Sequence, residues 1–470
     1  MRRIATLATA VAAGTAVLFA ASSGGREASV FTAEEVAAVM EFWAEPDRYS
    51  VTAPDDVAAN GPWQVRLTVS GSTWLWNYNR ARGLGKGPPG QNPGAQDPQE
   101  VEWERWIDAK VAWDRYQAAV AAANANSAVI GRPFLPPSPA PPHPGPAPAS
   151  LIALAGNPPP FAEAVTPLKH IVDFGDGTRL SYVDNVAMRP RYAYYRFETG
   201  VMSGGVSVRT MPPEELDALF VEAGLGPSER RIFAAVSLLE GGFDSVNTYD
   251  TGFVSVGLIQ FASLRDGVGS LGRKLRHHKQ KRPAAFEADF RRFGIDVAED
   301  GALTVLDPST GAVVMGAEAA KKVIEDRRLI AVFQRAGLRS REYRLSQIEI
   351  AAAEYFPAND PIAIVLKGRT ANGRVGDVIK SEAGLATLMD RKVNTGTLEP
   401  LPLILALVAA DSGASSLQEL ARFERDIVRA MRYRKDYLSD PTLSQPAASR
   451  LSDRDYRELA SRAGNRTRRP

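Results

Sequence analysis

The sequence predicts an α+β protein that is predominantly helical, carries a small β-hairpin near its middle and begins with a tryptophan-rich module. Three observations predict this. Helical patterns account for most of the chain from Pro212 onward. A Gly-rich turn and an Asp-bearing hairpin interrupt them between Gly241 and Phe261. All seven tryptophans lie between Trp43 and Trp113, ahead of a proline-rich run from Ile130 to Pro160.

Composition bounds the function. The 470 residues allow about two to three domains and a substantial core. Lys and Arg number 56 against 54 Asp and Glu, so nothing global points to nucleic acid as a partner. Cysteine is absent, which removes disulfides, thiol catalysis and thiolate metal sites together. The four histidines, His143, His170, His277 and His278, offer no metal-ligand spacing beyond one adjacent pair. No metal and no cofactor is implied.

Residues 1–23 read as a signal peptide. Arg2-Arg3 supply the charged start, Ile4 to Ala21 the apolar stretch, and Ala20-Ala21-Ser22 small residues for cleavage. The alternative is an uncleaved anchor, because the apolar span is near the length that crosses a membrane. Either way the bulk of the chain is expected outside the cytoplasm, secreted, periplasmic or associated with the cell wall.

Residues 31–130 form the tryptophan-rich module. A helix from Phe31 to Phe42 is expected, with Thr32 and Glu35 as a capping box. Trp63 to Asn79 alternates like a strand or hairpin turning at Ser70-Gly71-Ser72, Gly83 to Pro98 is a loop, and Gln99 to Asn124 is a long amphipathic helix. Trp103, Trp106, Ile107 and Trp113 share one side of it. They are either a platform for sugar rings or a small core. Aromatic stripes at helical spacing usually pack inward, which favours the core. Residues 131–160 read as a semi-rigid, polyproline-like spacer and domain boundary, with His143 solvated.

Residues 161–211 look β-rich. LKHIVDF and TRLSYVDNV flank a hairpin turn at Gly175-Asp176-Gly177, and YAYYRFETGV is a further candidate strand. Asp173, Asp176 and Asp184 lack the spacing of a calcium loop and read as turn residues.

Residues 212–440 hold the stretch that carries chemistry. Ser228 is the expected N-cap of a helix whose Ile232, Phe233, Val236 and Leu239 face a core. Glu240 projects from the edge of that face, and Gly241-Gly242 then stop the helix in the left-handed conformation. A carboxylate at a helix C-terminus is electrostatically misplaced, and a raised pKa is what makes such a residue useful. Extended segments Phe243 to Tyr249 and Phe253 to Phe261 follow around Asp250-Thr251-Gly252. Beyond them, Leu264 to Phe293 is largely helical and carries the basic run Arg273 to Arg282, either a solvated face or a surface for anionic wall polymers. A hairpin over Gly301 to Gly316 precedes helices at Ala317 to Ala336, Glu342 to Tyr355 and Pro361 to Lys367. Leu401 to Ala410 is too short to span a bilayer and reads as a buried helix. Residues 415–437 are helical, and residues 441–470 are a charged helix and tail.

Glu240, Asp250, Ser255 and the following Val256-Gly257 resemble the Glu, Asp and Thr arrangement of phage-type lysozymes. VSVGLIQF resembles the Gly-Leu-Ile-Gln type strand of lytic transglycosylases and goose-type lysozymes. LATLMDRKVNTG, Leu385 to Gly396, resembles the helix ending in Val-Asn-x-Gly of other muramidases. The resemblance covers residues 212–440 and departs from the phage pattern by one residue in the Glu-to-Asp spacing and by Ser for Thr. It implies a lysozyme-like domain that cleaves peptidoglycan glycan strands between N-acetylmuramic acid and N-acetylglucosamine.

In that chemistry Glu240 is the general acid, kept protonated by apolar neighbours for which Val236, Phe243 and Phe253 are candidates. Asp250, with Asp244 as rival, is the exposed, ionised carboxylate that activates water or stabilises the positive sugar. Ser255 holds the water, Tyr249 and Gln260 bind the sugar's polar groups, and Asn394 closes the other wall of the cleft. Gln260 and Asn394 also suit scaffold hydrogen bonding. A lytic transglycosylase using Glu240 alone, a chitin- or chitosan-cleaving enzyme and a non-catalytic wall-binding protein are the alternatives. The export segment yields the first test. Cleavage near Ser22 or Ser23 should leave a mature extracytoplasmic protein without its first residues, and N-terminal sequencing that finds Met1 on it contradicts this.

Overall fold

The computed structural model describes residues 30–53, 61–82, 98–137, 139–184, 188–189, 191–452, 455–456 and 459. The expected export segment, most of the C-terminal tail and the side chains of Ser207, Arg209 and Glu240 lie outside the described residues. Helices predominate over short strands, the α+β class expected.

The first helix, α1 (Ala33–Ala44), opens on the expected capping box. The Thr32 hydroxyl accepts from Glu35 N at 3.2 Å and the Glu35 carboxylate from Thr32 N at 2.7 Å. Yet α1 packs on the second half of the chain. Trp43 Nε1 donates to Phe293 O at 3.1 Å, and Glu35 pairs with Arg291. Strand β1 (Tyr49–Thr52) in turn pairs with a strand at residues 169–172, beyond the proline-rich run.

After β2 (Gln64–Leu67) comes helix α2 (Val69–Ala81), where alternation suggested a strand. The Ser-Gly-Ser signal sits in its first turn. Thr68 caps the helix by accepting from Gly71 N at 3.0 Å, and Trp74, Leu75 and Tyr78 then share a buried face. Helix α3 (Pro98–Ile130) buries Trp103, Ile107, Val111 and Ala118 at helical spacing. Trp74 and Trp103 join Leu151 and Phe161 in a small core, the inward reading of these rings.

The proline-rich run does not hang free as a spacer. It lies along α3: Trp106 Nε1 donates to Gly145 O at 3.3 Å, and the ring of Trp113 meets His143 edge-on at 4.8 Å. Trp103 Nε1 donates to Ser150 Oγ at 2.9 Å in α4 (Ala149–Ala155). Polyproline leaves its carbonyls unpaired, and indole N–H groups on a neighbouring helix are suitable donors for them.

Strand β3 (Ala162–Val165) pairs with β2, while β4 (Lys169–Asp173) and β5 (Arg179–Val183) form the expected hairpin with β1 on its outer edge. Asp173 and Asp176 are turn residues, accepting from Gly175 N at 2.8 Å and Thr178 N at 2.9 Å. Asp184 instead pairs with Arg327 and His170. Residues 192–201 run as turns, not as the strand their aromatic content suggested.

The part of the chain expected to carry the site starts at β6 (Met202–Ser203). Helices α5 (Pro213–Glu222) and α6 (Pro227–Glu240) follow, then β7 (Val246–Asn247), β8 (Ser255–Val256) and β9 (Phe261–Ala262). These strands form one antiparallel sheet in the order β6-β7-β8-β9. Next come α7 (Ser270–Lys281), α8 (Pro283–Asp289) and a three-stranded sheet of β10 (Ile295–Val297), β11 (Leu303–Leu306) and β12 (Val313–Met315). The basic run at α7 is partnered: Arg273 pairs with Glu354, Lys281 and Arg282 with Glu349 and Lys279 with Asp296, while His277 Nε2 hydrogen-bonds Glu349 Oε2 at 2.7 Å. It is thus neither a bare solvated face nor a free basic surface. Lys274 and His278 on the same helix are buried.

The expected long helix after β12 is two, α9 (Gly316–Glu325) and α10 (Arg327–Arg339), divided where Asp326 caps the second by accepting from Arg328 N at 3.0 Å. Helix α11 (Arg341–Tyr355) leads to β13 (Pro361–Leu366) and β14 (Arg369–Arg374), a hairpin where a helix was expected. Ile362, Ile364 and Leu366 alternate inward, and Lys367 and Gly368, at φ 47° and 77°, make the two-residue turn. Helices α12 (Glu382–Thr395), α13 (Leu401–Ser412) and α14 (Glu424–Met431) complete the chain. Leu401, Ile404, Leu405, Leu407 and Val408 bury α13 as expected. Among the described residues no single helix is long and apolar enough to cross a membrane.

Candidate active site

The site is built on the end of α6. Pro227 takes the first helical position and Gly226 the cap, its N–H donating to Glu229 Oε2 at 2.7 Å, so Ser228 lies inside the helix and does not cap it. Ile232, Phe233 and Val236 are buried as expected. Leu239 departs from that face at 38% exposure, and with Leu238 it leaves the last turn clear of the core. The helix stops at Glu240 because Gly241 takes φ 147°, ψ −176°, an extended positive-φ conformation open to glycine and different from the left-handed helical one expected. Gly242 N then donates to Gly204 O at 2.9 Å, which ties the helix end to β6.

The hairpin between β7 and β8 carries the next groups. Asn247 Nδ2 donates to Asp250 Oδ2 at 2.8 Å and Gly252 N to Asp250 Oδ1 at 2.9 Å. A Cβ on Gly252 would stand 2.4 Å from Ser255 Oγ and 3.1 Å from Asp250 Oδ1, so a bare glycine is what lets this hydroxyl and carboxylate approach. Asp250 is therefore not the exposed, freely ionised carboxylate expected. It is half-buried with both oxygens engaged, and burial pushes its pKa up against those hydrogen bonds and the charges of Arg196 and Arg189. Ser255 is buried behind it on β8.

The other expected residues separate into scaffold and wall. Asp244 is buried and accepts from Val206 N at 3.1 Å, holding the loop after β6. Gln260, at φ 55°, donates from Nε2 to Ser245 Oγ at 2.6 Å and is a scaffold residue. Tyr249 is buried, its hydroxyl 3.1 Å from that of Tyr192, so its ring supports the hairpin from behind. Asn394 lies in the last turn of α12 and donates from Nδ2 to Asp390 O at 2.8 Å. Helix α12 packs alongside α6, with Arg231 Nε donating to Glu382 Oε1 at 3.0 Å near their N-terminal ends.

Sequence reasoning missed the residues that frame this region from elsewhere. Arg196 N donates to Tyr249 O at 2.6 Å, and its guanidinium lies 5.5 Å from the Trp76 ring. Trp76 and Tyr194 meet edge-on at 5.2 Å, both half-buried. Tyr433 sits near Tyr194, and burial first, then the charge of Tyr194, pushes its hydroxyl up to about 12. Arg391 on α12 stacks over Tyr433 at 5.3 Å. The aromatic run YAYYR was the available signal, read above as a strand. What the arrangement offers chemically is a glutamate closing a helix, a half-buried carboxylate on a tight hairpin, and an aromatic and guanidinium rim.

No known protein-family model, curated protein or solved structure matches this chain.

Asp250 gives a pH-dependent test. A carboxyl whose folded pKa is raised holds its proton more tightly folded than unfolded, so its contribution is full below the unfolded value of 3.8 and declines as pH rises through the folded value. Asp250→Asn removes that decline. Thermal unfolding should find the difference between variant and parent moving in the variant's favour as pH rises from about 4 to neutral, on top of a pH-independent loss from the accepting oxygen that the amide replaces. A difference that does not change with pH contradicts a destabilised carboxylate at this position.

Proposed function

We propose that this chain is an exported, lysozyme-like enzyme that cleaves peptidoglycan glycan strands between N-acetylmuramic acid and N-acetylglucosamine, with Glu240 as general acid. The observation that supports it best is the direct run from a helix ending at Glu240 into a small antiparallel sheet whose hairpin brings Asp250 and Ser255 together over Gly252. A glycosidic bond breaks when its leaving oxygen is protonated, which requires an acid still protonated near neutral pH. A helix C-terminus disfavours a carboxylate charge and so acts in the required direction on Glu240. The muramidase reading assigns Asp250 to water activation or to stabilising the positive sugar, with Ser255 behind it. Trp76 and Tyr194 offer apolar faces for sugar rings, and Arg196 a donor for their hydroxyls.

A second reading, a lytic transglycosylase, is favoured by one observation: both oxygens of Asp250 are already engaged within the hairpin. A transglycosylase needs no second carboxylate, because the sugar's own hydroxyl attacks and leaves an anhydro end. Glu240→Gln keeps the side chain's shape and removes the titrating proton. General acid catalysis contributes about 10²–10⁴-fold, and activity of the variant on purified peptidoglycan should fall by that order. Reducing muramic acid ends from the parent identify a hydrolase, for which Asp250→Asn abolishes most of the rate. Anhydro ends, with Asp250→Asn largely active, identify the transglycosylase. Intact glycan from the parent, or Glu240→Gln within a few-fold of it, overturns the catalytic assignment and leaves a wall-binding protein.

A further inference from the structure

A cavity of about 480 Å³ opens beside the hairpin, with Phe253 in its lining. Its floor is apolar. Phe253 stands at φ 65°, a conformation unfavourable for a bulky residue, and meets Phe197 edge-on at 5.0 Å. Ile324 of α9, buried, completes that floor.

The rim is charged with both signs. Glu318, Lys321 and Glu325 follow one another along one exposed face of α9 and line the cavity together. Arg265, from the loop between β9 and α7, faces them, exposed and with no hydrogen-bond or ion-pair partner among the described residues. Lys321 reaches Glu325 only at 3.8 Å, both well exposed, a pair that water and salt largely screen. Arg196 belongs to this lining as well as to the rim of the candidate active site, so the two spaces are neighbours.

We propose that this cavity binds a short peptide carrying both carboxylate and ammonium groups, the stem peptide attached to the muramic acid of the glycan strand. A sugar of the strand without its peptide presents no ammonium group and has no use for the carboxylates on α9. A peptide of a few residues matches the volume, its methyl groups meet Phe253 and Ile324, its carboxylates meet Arg265 and Lys321, and its amino group meets Glu318 or Glu325. The identity of the peptide rests on the glycan-cleavage reading. The cavity selects strands by what they carry, while the hairpin acts on the bond.

The test measures binding and cleavage separately. Calorimetric titration of the full chain with N-acetylmuramoyl tetrapeptide and with N-acetylmuramic acid should show the peptide conjugate binding about tenfold tighter or better. Arg265→Glu combined with Lys321→Glu should abolish that difference, since reversing rim charges turns attraction into repulsion. The same variant should cleave peptide-free glycan at the parental rate, which also controls for folding. A parent that binds both ligands equally, or a double variant that keeps the preference, overturns the proposal. A parent that binds the conjugate but cleaves no glycan supports the cavity and refutes the catalytic reading, so the two failures are distinguishable.

Discussion

A single buried amide, Gln347 on α11, fixes the hairpin against the helix end. Its Nε2 donates to Phe243 O at 2.9 Å and its Oε1 accepts from Leu258 N at 2.8 Å, so one side chain grips both arms of the β7–β9 sheet. The strands cannot do this themselves, since each is two residues long and short strands are not independently stable. Two glycines make room for the clamp. A Cβ at Gly257 would stand 2.2 Å from Gln347 Oε1, and one at Gly337 the same distance from Phe243 O. Leaving either backbone group unpaired in this buried setting would cost about 1–3 kcal/mol. An amide suits the task because it donates and accepts at once and does not titrate.

From that clamp the rest of the site follows. Gly241 turns the chain off α6, Gly242 ties it to β6, and Asp244 holds the loop that follows β6, so the helix end and the sheet form one rigid corner. Costs are concentrated there. Asp250 is held half-buried, which pushes its pKa up, and Phe253 keeps an unfavourable backbone angle. Structures retain such costs where the arrangement has a use. Trp76 of α2 and the 192–196 segment support the hairpin from outside, Tyr194 meeting the Trp76 ring and Arg196 bonding to Tyr249 O.

Local signals in the sequence reported local structure well. The Thr32–Glu35 box, the Gly175-Asp176-Gly177 turn and the apolar run of α13 each depend on residues within a few positions, and each is where the pattern put it. Periodicity failed where two patterns competed. Val69 to Ala81 alternates yet folds as a helix because Thr68 caps it, and Pro361 to Leu366 is a strand because a two-residue turn follows. The site divides on the same line. Glu240 at a helix end and the Asp250-Thr251-Gly252 turn were legible, whereas the hydrogen bonds that draw Asp250 inward are not written in spacing. Gln347 and Tyr433 carry no local mark, and the YAYYR run that marks Tyr194 and Arg196 does not say what they pack against. They matter through contacts made across the chain, as does the proline run, whose partner is a helix that precedes it.

The central claim is that the end of α6 and the β7–β8 hairpin form a glycan-cleaving site. The most direct measurement is a crystal structure of the Glu240→Gln variant with a peptidoglycan tetrasaccharide. The claim predicts the glycosidic oxygen within hydrogen-bond reach of residue 240, about 2.6–3.2 Å, with the sugars running between the 247–252 hairpin and Tyr194. A tetrasaccharide bound away from the end of α6, with no glycosidic oxygen near residue 240, would contradict it.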